Sequence, residues 1–264
     1  MQIKTKKSLG QNFLNNKKIL EKIVELGNVN KKKFVLEIGP GTGNLTKFLI
    51  EKKPKKLTVI EKDTDLAKVI NTKFGENIYL VNDDFIKCFK NHIKDKPLII
   101  FGNLPYNISV DILISLIKID NLNKICEKLI FIFQKEVADR IISNHNGKKF
   151  GRISILTAWK MNAKKIIDID PVNFRPIPKV WSSLLVLEPK KNYHKFKNIN
   201  NLEHITNIFF SQRRKMIKKP LKFLFNNFEE VSKKLSIDLK LRPQNLDHNT
   251  YYKICELYEL ELIK

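Results

Sequence analysis

Short apolar segments alternate with helical stretches through the first half of the chain, and this alternation constrains the fold more than any other feature. Five apolar runs have the length of strands, at residues 34–38, 57–61, 78–81, 98–101 and 129–133. Residues 18–26, 44–50 and 65–72, which lie before or between these runs, read as helices. Strands that are apolar at nearly every position are typical of a parallel sheet covered by helices on both faces. The pattern therefore predicts an α/β fold.

The pattern changes after the fifth run. Residues 163–169 and 183–187 read as two more strands, separated by a proline-rich loop at 171–178, and we expect them to close the sheet as an antiparallel pair. The polar segment 188–192 is a candidate boundary, and short helices are predicted beyond it at 202–210, 220–226, 228–235 and 251–260. We therefore expect one domain over residues 1–189 and a small all-α domain over residues 190–264.

The formal net charge of +23 indicates a polyanionic partner, because binding to phosphates releases their counterions. The same surplus is also compatible with lysine enrichment on solvated faces, and it is spread over both predicted domains. No apolar run is long enough to span a bilayer, and the basic N-terminus lacks the apolar region of a signal peptide. The three cysteines, Cys88, Cys126 and Cys255, are far apart. We therefore expect a cytoplasmic protein without a metal site.

A glycine-rich turn, residues 37–43 with the spacing ExGxGxG, follows the first predicted strand and opens a helix. Gly39 and Gly41 allow positive φ angles in this turn and a close approach of a cofactor to the backbone. The dinucleotide-binding fingerprint GxGxxG is broken, because Asn44 stands where its last glycine is needed. The turn therefore favours a cofactor that has no pyrophosphate.

Acidic residues follow the next two strands. Glu61 ends the second strand, and its carboxylate can accept hydrogen bonds from both ribose hydroxyls of an adenosyl group. Asp83 and Asp84 follow the third strand, and either could hold an adenine amine. The carboxyl ends of parallel strands meet at one edge of a sheet, where α/β proteins bind ligands. A lone carboxylate at a strand end is usually only solvated, but the ordered set is specific.

The segment Asn103-Leu104-Pro105-Tyr106 follows the fourth strand. The Asn103 side-chain oxygen and the Leu104 carbonyl can accept both hydrogens of an exocyclic adenine amine, which turns the nitrogen lone pair towards a methyl donor. Pro105 fixes the backbone, and Tyr106 offers a flat face for an extruded base. Alone, the segment could be a β-turn. Phe174 is a candidate second stacking face, or a loop aromatic tucked into the core.

With these residues assembled, the chain resembles the small-subunit ribosomal RNA adenine dimethyltransferases. The resemblance covers nearly the whole length, through blocks at residues 7–14, 37–46, 61, 103–109, 174–183, 212–215 and 241–246. It implies a Rossmann-like methyltransferase sheet and S-adenosylmethionine as methyl donor. It also implies two methyl groups on N6 of each of two adjacent adenosines, in a hairpin loop near the 3′ end of the small-subunit rRNA. The implied partner is a pre-30S ribosomal particle. We expect the protein to act as a monomer and without a membrane partner.

The resemblance also implies a set of cofactor contacts. Asp84 is preferred to Asp83, because residues 84–87 match the family's block of an aspartate followed by two apolar residues. Asn12 stands where some members carry histidine, a mild departure if the contact is made by the backbone. The expected cofactor contacts are Asn12, Leu14, Gly39, Gly41, Glu61, Asp84 and Asn103.

Three other functions remain open at this point. A related resistance methyltransferase would act on a large-subunit adenosine, a non-enzymatic assembly factor would only bind RNA, and a DNA adenine methyltransferase would use the same chemistry. The block at residues 7–14 and the arginine-bearing segment 212–215 favour the small-subunit enzyme.

Overall fold

The computed structural model describes residues 11–92 and 97–262. Residues 7–10, the first half of the N-terminal block, lie outside the described residues. The chain divides into two compact units. The first comprises the residues up to Ala138 together with Asn162–Pro189, and the second comprises Asp139–Met161 together with the residues from Lys190 onwards.

The strands confirm the predicted α/β fold. They are β1 (Phe13–Leu14), β2 (Phe34–Ile38), β3 (Lys56–Glu61), β4 (Tyr79–Asn82), β5 (Leu98–Asn103), β6 (Cys126–Gln134), β7 (Met161–Ile169), β8 (Phe174–Arg175) and β9 (Ser182–Pro189). Seven of them form one sheet in the order β4-β3-β2-β5-β6-β9-β7. The five strands from β4 to β6 are parallel, and β9 runs antiparallel to β6.

Helices flank this sheet. In chain order they are α1 (Lys17–Gly27), α2 (Asn44–Glu51), α3 (Thr64–Phe74), α4 (Phe85–His92), α5 (Ser109–Ile117), α6 (Leu122–Ile125) and α7 (Lys135–Ile141). Two of these helices begin where the sequence provides a cap. The Asn16 side chain accepts a hydrogen bond from the Ile19 N–H at 3.2 Å, and Asp63 caps α3 through the N–H of Asp65.

The central strands are buried on both faces, as their near-continuous apolar sequence predicts. Leu36, Val59, Ile99 and Phe101 have almost no exposed surface. The side chains of the parallel strands therefore fill the space between sheet and helices, and most polar groups of these strands lie at or near the strand ends. Polar side chains that could bind a ligand therefore lie at the carboxyl edge of the sheet.

A second, two-stranded sheet joins the N-terminal segment to the loop before β9. β1 pairs antiparallel with β8, so that Leu14 lies opposite Phe174. Neither strand was predicted, because two-residue strands have no measurable periodicity. The pairing holds the N-terminal segment beside the main sheet.

The helical unit contains α8 (Arg152–Lys160), α9 (Asn200–Ser211), α10 (Lys218–Leu224), α11 (Phe228–Leu235) and α12 (His248–Glu261). The expected boundary after residue 189 coincides with the point at which this unit resumes, but Asp139–Met161 also belongs to it. α8 belongs to this unit because its residues contact segments of the chain beyond residue 189. Trp159 is buried and donates its Nε1–H to the His194 carbonyl at 2.7 Å, and the Tyr252 hydroxyl donates to the Ile155 carbonyl at 3.0 Å.

No helix within the described residues is long and apolar enough to cross a membrane.

Candidate active site

A cavity of about 220 Å³ opens at the carboxyl edge of the parallel strands. It is lined by residues that follow β2, β3, β4 and β5, and by the N-terminal segment. The lining contains the following predicted site residues: Asn12, Leu14, Gly39, Gly41, Glu61, Asp83, Asp84, Asn103, Leu104, Pro105 and Tyr106. The fold therefore brings together residues that lie as far apart in the chain as Asn12 and Tyr106.

The glycine turn has the backbone that its sequence predicts. Gly39 and Gly41 have φ angles of +63° and +59°, a region that other residues rarely adopt. A Cβ atom on Gly39 would meet nothing within 4 Å, whereas a Cβ atom on Gly41 would lie 2.6 Å from the Phe13 ring. The Phe13 ring thus packs directly on the turn, and Gly41 is required both by its φ angle and by this contact.

Glu61 lies at the end of β3 and is 6% exposed. Its Oε2 accepts a hydrogen bond from the Gly41 N–H at 3.2 Å, and its Oε1 accepts one from the Asp63 N–H at 2.8 Å. Burial raises the pKa of Glu61 above its ordinary value, against the opposing effect of these two N–H groups. A carboxylate has about four acceptor sites, so each oxygen can still accept a hydroxyl.

Glu37, the first residue of the glycine motif, also lines the cavity but was not among the predicted site residues. Its side chain is 2% exposed, and its Oε2 accepts a hydrogen bond from the Thr46 hydroxyl at 2.7 Å. Burial raises the pKa of Glu37 to about 8, with a smaller contribution from the nearby charge of Glu61. The acid is therefore largely protonated at neutral pH. The position of Glu37 as the first residue of the ExGxGxG motif was the sequence feature that could have identified it as a site residue.

Asp83 and Asp84 both line the cavity but are held differently. Asp84 Oδ1 accepts from the Ile86 N–H at 3.0 Å, and its Oδ2 accepts from Lys62 Nζ at 2.8 Å. The hydrogen bond from Lys62 lowers the pKa of Asp84. Asp83 is exposed, and its Oδ1 accepts from the Asp84 N–H at 2.6 Å. Asp84 is thus the more constrained of the two carboxylates.

Asn103 ends β5 and is oriented by the N-terminal segment. Its Nδ2 donates a hydrogen bond to the Asn12 carbonyl at 2.7 Å. A carbonyl can only accept, so the amide must turn its NH₂ group towards Asn12, and Oδ1 is the acceptor that remains for a ligand. Asn12 makes this contact with Asn103 through its backbone carbonyl.

The residues after Asn103 are packed tightly. A Cβ atom on Gly102 would lie 2.5 Å from Leu104 Cδ2, so the buried Leu104 side chain depends on a glycine two positions earlier. The half-buried Tyr106 has its hydroxyl 2.6 Å from the Ser182 hydroxyl at the start of β9. Burial raises the pKa of Tyr106. The Tyr106 ring is therefore fixed between two strand ends.

Phe174 lies elsewhere. It is fully buried and packs in the same apolar cluster as Leu14, and it is absent from the described residues that line the cavity. The expectation of a second open stacking face is therefore not met in this structure. The physical reason is the pairing of β1 with β8, which places Phe174 opposite Leu14 and turns its ring inwards.

The N-terminal segment is tied to the glycine turn by polar contacts. Asn44, the residue that breaks the dinucleotide fingerprint, donates from Nδ2 to the Leu14 carbonyl at 2.8 Å. Gln11 donates from Nε2 to Asp63 Oδ2 at 3.1 Å. Asn44 thus has a structural role that glycine could not fill, because its side-chain amide donates a hydrogen bond to the segment that orients Asn103.

The sequence profile of the ribosomal RNA adenine dimethylase family matches residues 2–260 of the chain. The chain belongs to this family. One relative, the ribosomal RNA small subunit methyltransferase A of Pelagibacter ubique (strain HTCC1062), is 54% identical over 259 residues, which cover 98% of each chain. The protein of the same name from Prochlorococcus marinus (strain AS9601) is 40% identical over 263 residues, which cover 95% of this chain and 94% of that one.

Solved structures of relatives share the fold of this family member. A dimethyladenosine transferase from Plasmodium falciparum superposes with a TM-score of 0.75 at 25% identity, over 95% of this chain and 97% of that chain. The 23S rRNA methyltransferase ErmE superposes with a TM-score of 0.69 at 22% identity, over 92% of this chain and 98% of that chain. The second likeness shows the fold alone.

Proposed function

We propose that this family member uses S-adenosylmethionine to dimethylate N6 of two adjacent adenosines in the 3′-terminal hairpin loop of small-subunit rRNA. The observation that carries the proposal is the anchored amide of Asn103, which lines the same cavity as the glycine turn and Glu61. An acceptor for an adenine amine and a carboxylate for a ribose thus share one cavity.

The residues present fit S-adenosylmethionine, which supplies an activated methyl group on its sulfonium. The open side of Gly39 leaves room for a ligand against the backbone of the turn. Glu61 would accept hydrogen bonds from the ribose hydroxyls, and we assign the adenine amine to Asp84 because its carboxylate is fixed at both oxygens. Asn12, Leu14, Gly41 and Asn103 would complete the contacts.

The target adenine would lie on the Tyr106 ring, with its amine between Asn103 Oδ1 and the Leu104 carbonyl. Two acceptors would favour a pyramidal nitrogen whose lone pair attacks the methyl carbon in line. The new nitrogen–carbon bond would form as the carbon–sulfur bond breaks, and S-adenosylhomocysteine would leave as a neutral thioether. The nitrogen then carries a positive charge, which the two oxygens stabilise until a proton leaves to solvent. After the first transfer one N6 hydrogen remains, so one acceptor can still orient the amine for the second.

The substrate partner we propose is the small-subunit rRNA within a pre-30S particle, bound by a monomer in the cytoplasm. The charge of +23 fits an RNA partner whose phosphates are neutralised on binding. The shared fold with ErmE does not distinguish the large-subunit alternative, whereas the relatives with 40% and 54% identity carry the small-subunit name.

The proposal is tested by incubating the purified chain with labelled S-adenosylmethionine and with subunits from a strain that lacks adenine dimethylation. We expect about four methyl groups per small subunit and none on large subunits. Methylation of the large subunit alone would establish the alternative. Binding to the small subunit without any transfer would instead indicate an assembly factor.

A further inference from the structure

The segment that leads from β8 into β9 exposes apolar side chains beside a basic surface. Ile177, Val180 and Trp181 are all exposed, and Trp181, the largest of these side chains, is 47% exposed. Residues 171–182 contain Arg175 and Lys179 and no acidic residue. An exposed tryptophan within a basic segment is a recurring feature of surfaces that bind single-stranded nucleic acid, where aromatic rings stack on bases.

Trp181 is held at the edge of the sheet where the active-site residues lie. The Lys135 N–H donates to the Trp181 carbonyl at 2.8 Å, which fixes the backbone beside the carboxyl end of β6. The next residue, Ser182, contacts the Tyr106 hydroxyl at 2.6 Å. Trp181 is therefore one residue away from the group that positions the proposed base-stacking ring.

The surroundings of Trp181 are positively charged. Lys135 Nζ lies 5.7 Å from the centre of the Trp181 ring and pairs with Asp168. Lys165 Nζ lies 3.2 Å from the same carboxylate, so two ammonium groups share one aspartate. An ammonium group close to the exposed Trp181 ring suits a ligand with a phosphate next to an aromatic base.

We propose that Trp181 stacks on the RNA base next to the adenosine that occupies the cavity. The proposal rests on the proposed function, in which two adjacent adenosines are modified. While one base lies on Tyr106, its neighbour leaves the loop stack and needs another surface. Trp181 supplies that surface outside the cavity, so it is a positioning residue and not a catalytic one.

Intrinsic fluorescence provides a direct test, because the chain contains two tryptophans. Trp159 is 4% exposed in the helical unit, whereas Trp181 is accessible. An RNA hairpin with two adjacent adenosines in its loop should quench the fluorescence of the wild type and of Trp159→Phe. It should leave that of Trp181→Phe almost unchanged.

Binding of the hairpin should weaken roughly five- to tenfold in Trp181→Ala, the lower part of the range for loss of one stacked base. Trp181→Tyr should recover most of the affinity. Tyr79 is a matched control, because it is 50% exposed, has Lys56 Nζ 4.2 Å from its ring centre and lies on β4 at the far end of the strand order. Tyr79→Ala should bind RNA like the wild type.

The proposal is overturned if Trp181→Ala binds and methylates the hairpin within twofold of the wild type, or if Tyr79→Ala weakens binding equally. Quenching by whole small subunits but not by the hairpin would indicate a protein at this surface and would also contradict it. Failure of the proposed function is a distinct result, because the wild type itself would then transfer no methyl group to small subunits.

Discussion

Replacement of Asn103 by alanine should lower the rate of methyl transfer much more than the affinity for the cofactor. The side chain has two polar groups, and the structure assigns one of them: Nδ2 donates to the Asn12 carbonyl at 2.7 Å. The other, Oδ1, is the proposed acceptor of an N6 hydrogen. Asn103→Ala removes both groups, so the variant loses the acceptor and also the anchor of the N-terminal segment.

The two losses differ in size. Removing one pre-organised hydrogen-bonding partner of the transition state typically lowers turnover by about 10²- to 10³-fold. The anchor is a single part-buried hydrogen bond, and its loss costs about 1 kcal/mol, or roughly fivefold in an equilibrium. The Asn103 side chain is also lost as a proposed cofactor contact, but the proposed contacts through Glu61 and the glycine turn remain. We therefore expect turnover to fall at least tenfold more than cofactor affinity.

Calorimetric titration with S-adenosylmethionine measures the affinity, and single-turnover methylation of unmodified small subunits measures the chemistry. Asn91→Ala is a suitable control, because this amide is exposed in the last turn of α4 and does not line the cavity among the described residues. Equal losses of affinity and turnover in Asn103→Ala would refute the role assigned to Oδ1.

Three further predictions concern Glu61 as a cofactor ligand, the buried acid Glu37 and the positive net charge. Glu61→Gln should weaken cofactor binding about 10- to 100-fold, because its NH₂ group must face one of the two backbone N–H donors. Unchanged affinity in calorimetry would remove Glu61 from the site. Glu37 has its pKa raised to about 8 from 4.5, so the folded state holds a proton that the unfolded state releases. Stability should therefore fall as pH rises from about 5 to 8 and fall less in Glu37→Gln; parallel urea-unfolding profiles would contradict this. RNA binding should weaken with salt, with a log–log slope of about −0.7 to −0.9 for each phosphate contact; a filter-binding series without salt dependence would exclude an electrostatic role for the net charge.

Much of the fold could be predicted because its signals are local. The continuous apolar runs of β2, β3, β5 and β6 indicate strands buried on both faces, and the glycine spacing places a turn after the first of them. The polar residues at strand ends then identify the cavity. These features depend on neighbours within a few positions of the chain.

The parts that could not be predicted depend on distant pairings. Phe174 lies inside because it meets Leu14, which is 160 positions earlier, through strands too short to show a periodicity. The contact between Asn103 and Asn12 spans 91 positions. The segment with α8 joins the helical unit through side chains such as Trp159, although it precedes β7 directly in the sequence.

We propose above all that this chain dimethylates two adjacent adenosines of small-subunit rRNA. Mass spectrometry of the 3′-terminal rRNA fragment tests it most directly, in cells that lack the protein and in cells supplied with the wild type or Asn103→Ala. We expect two adjacent N6,N6-dimethyladenosines only when the wild type is present. An unmodified fragment in cells with the wild type, or full modification by Asn103→Ala, would contradict it.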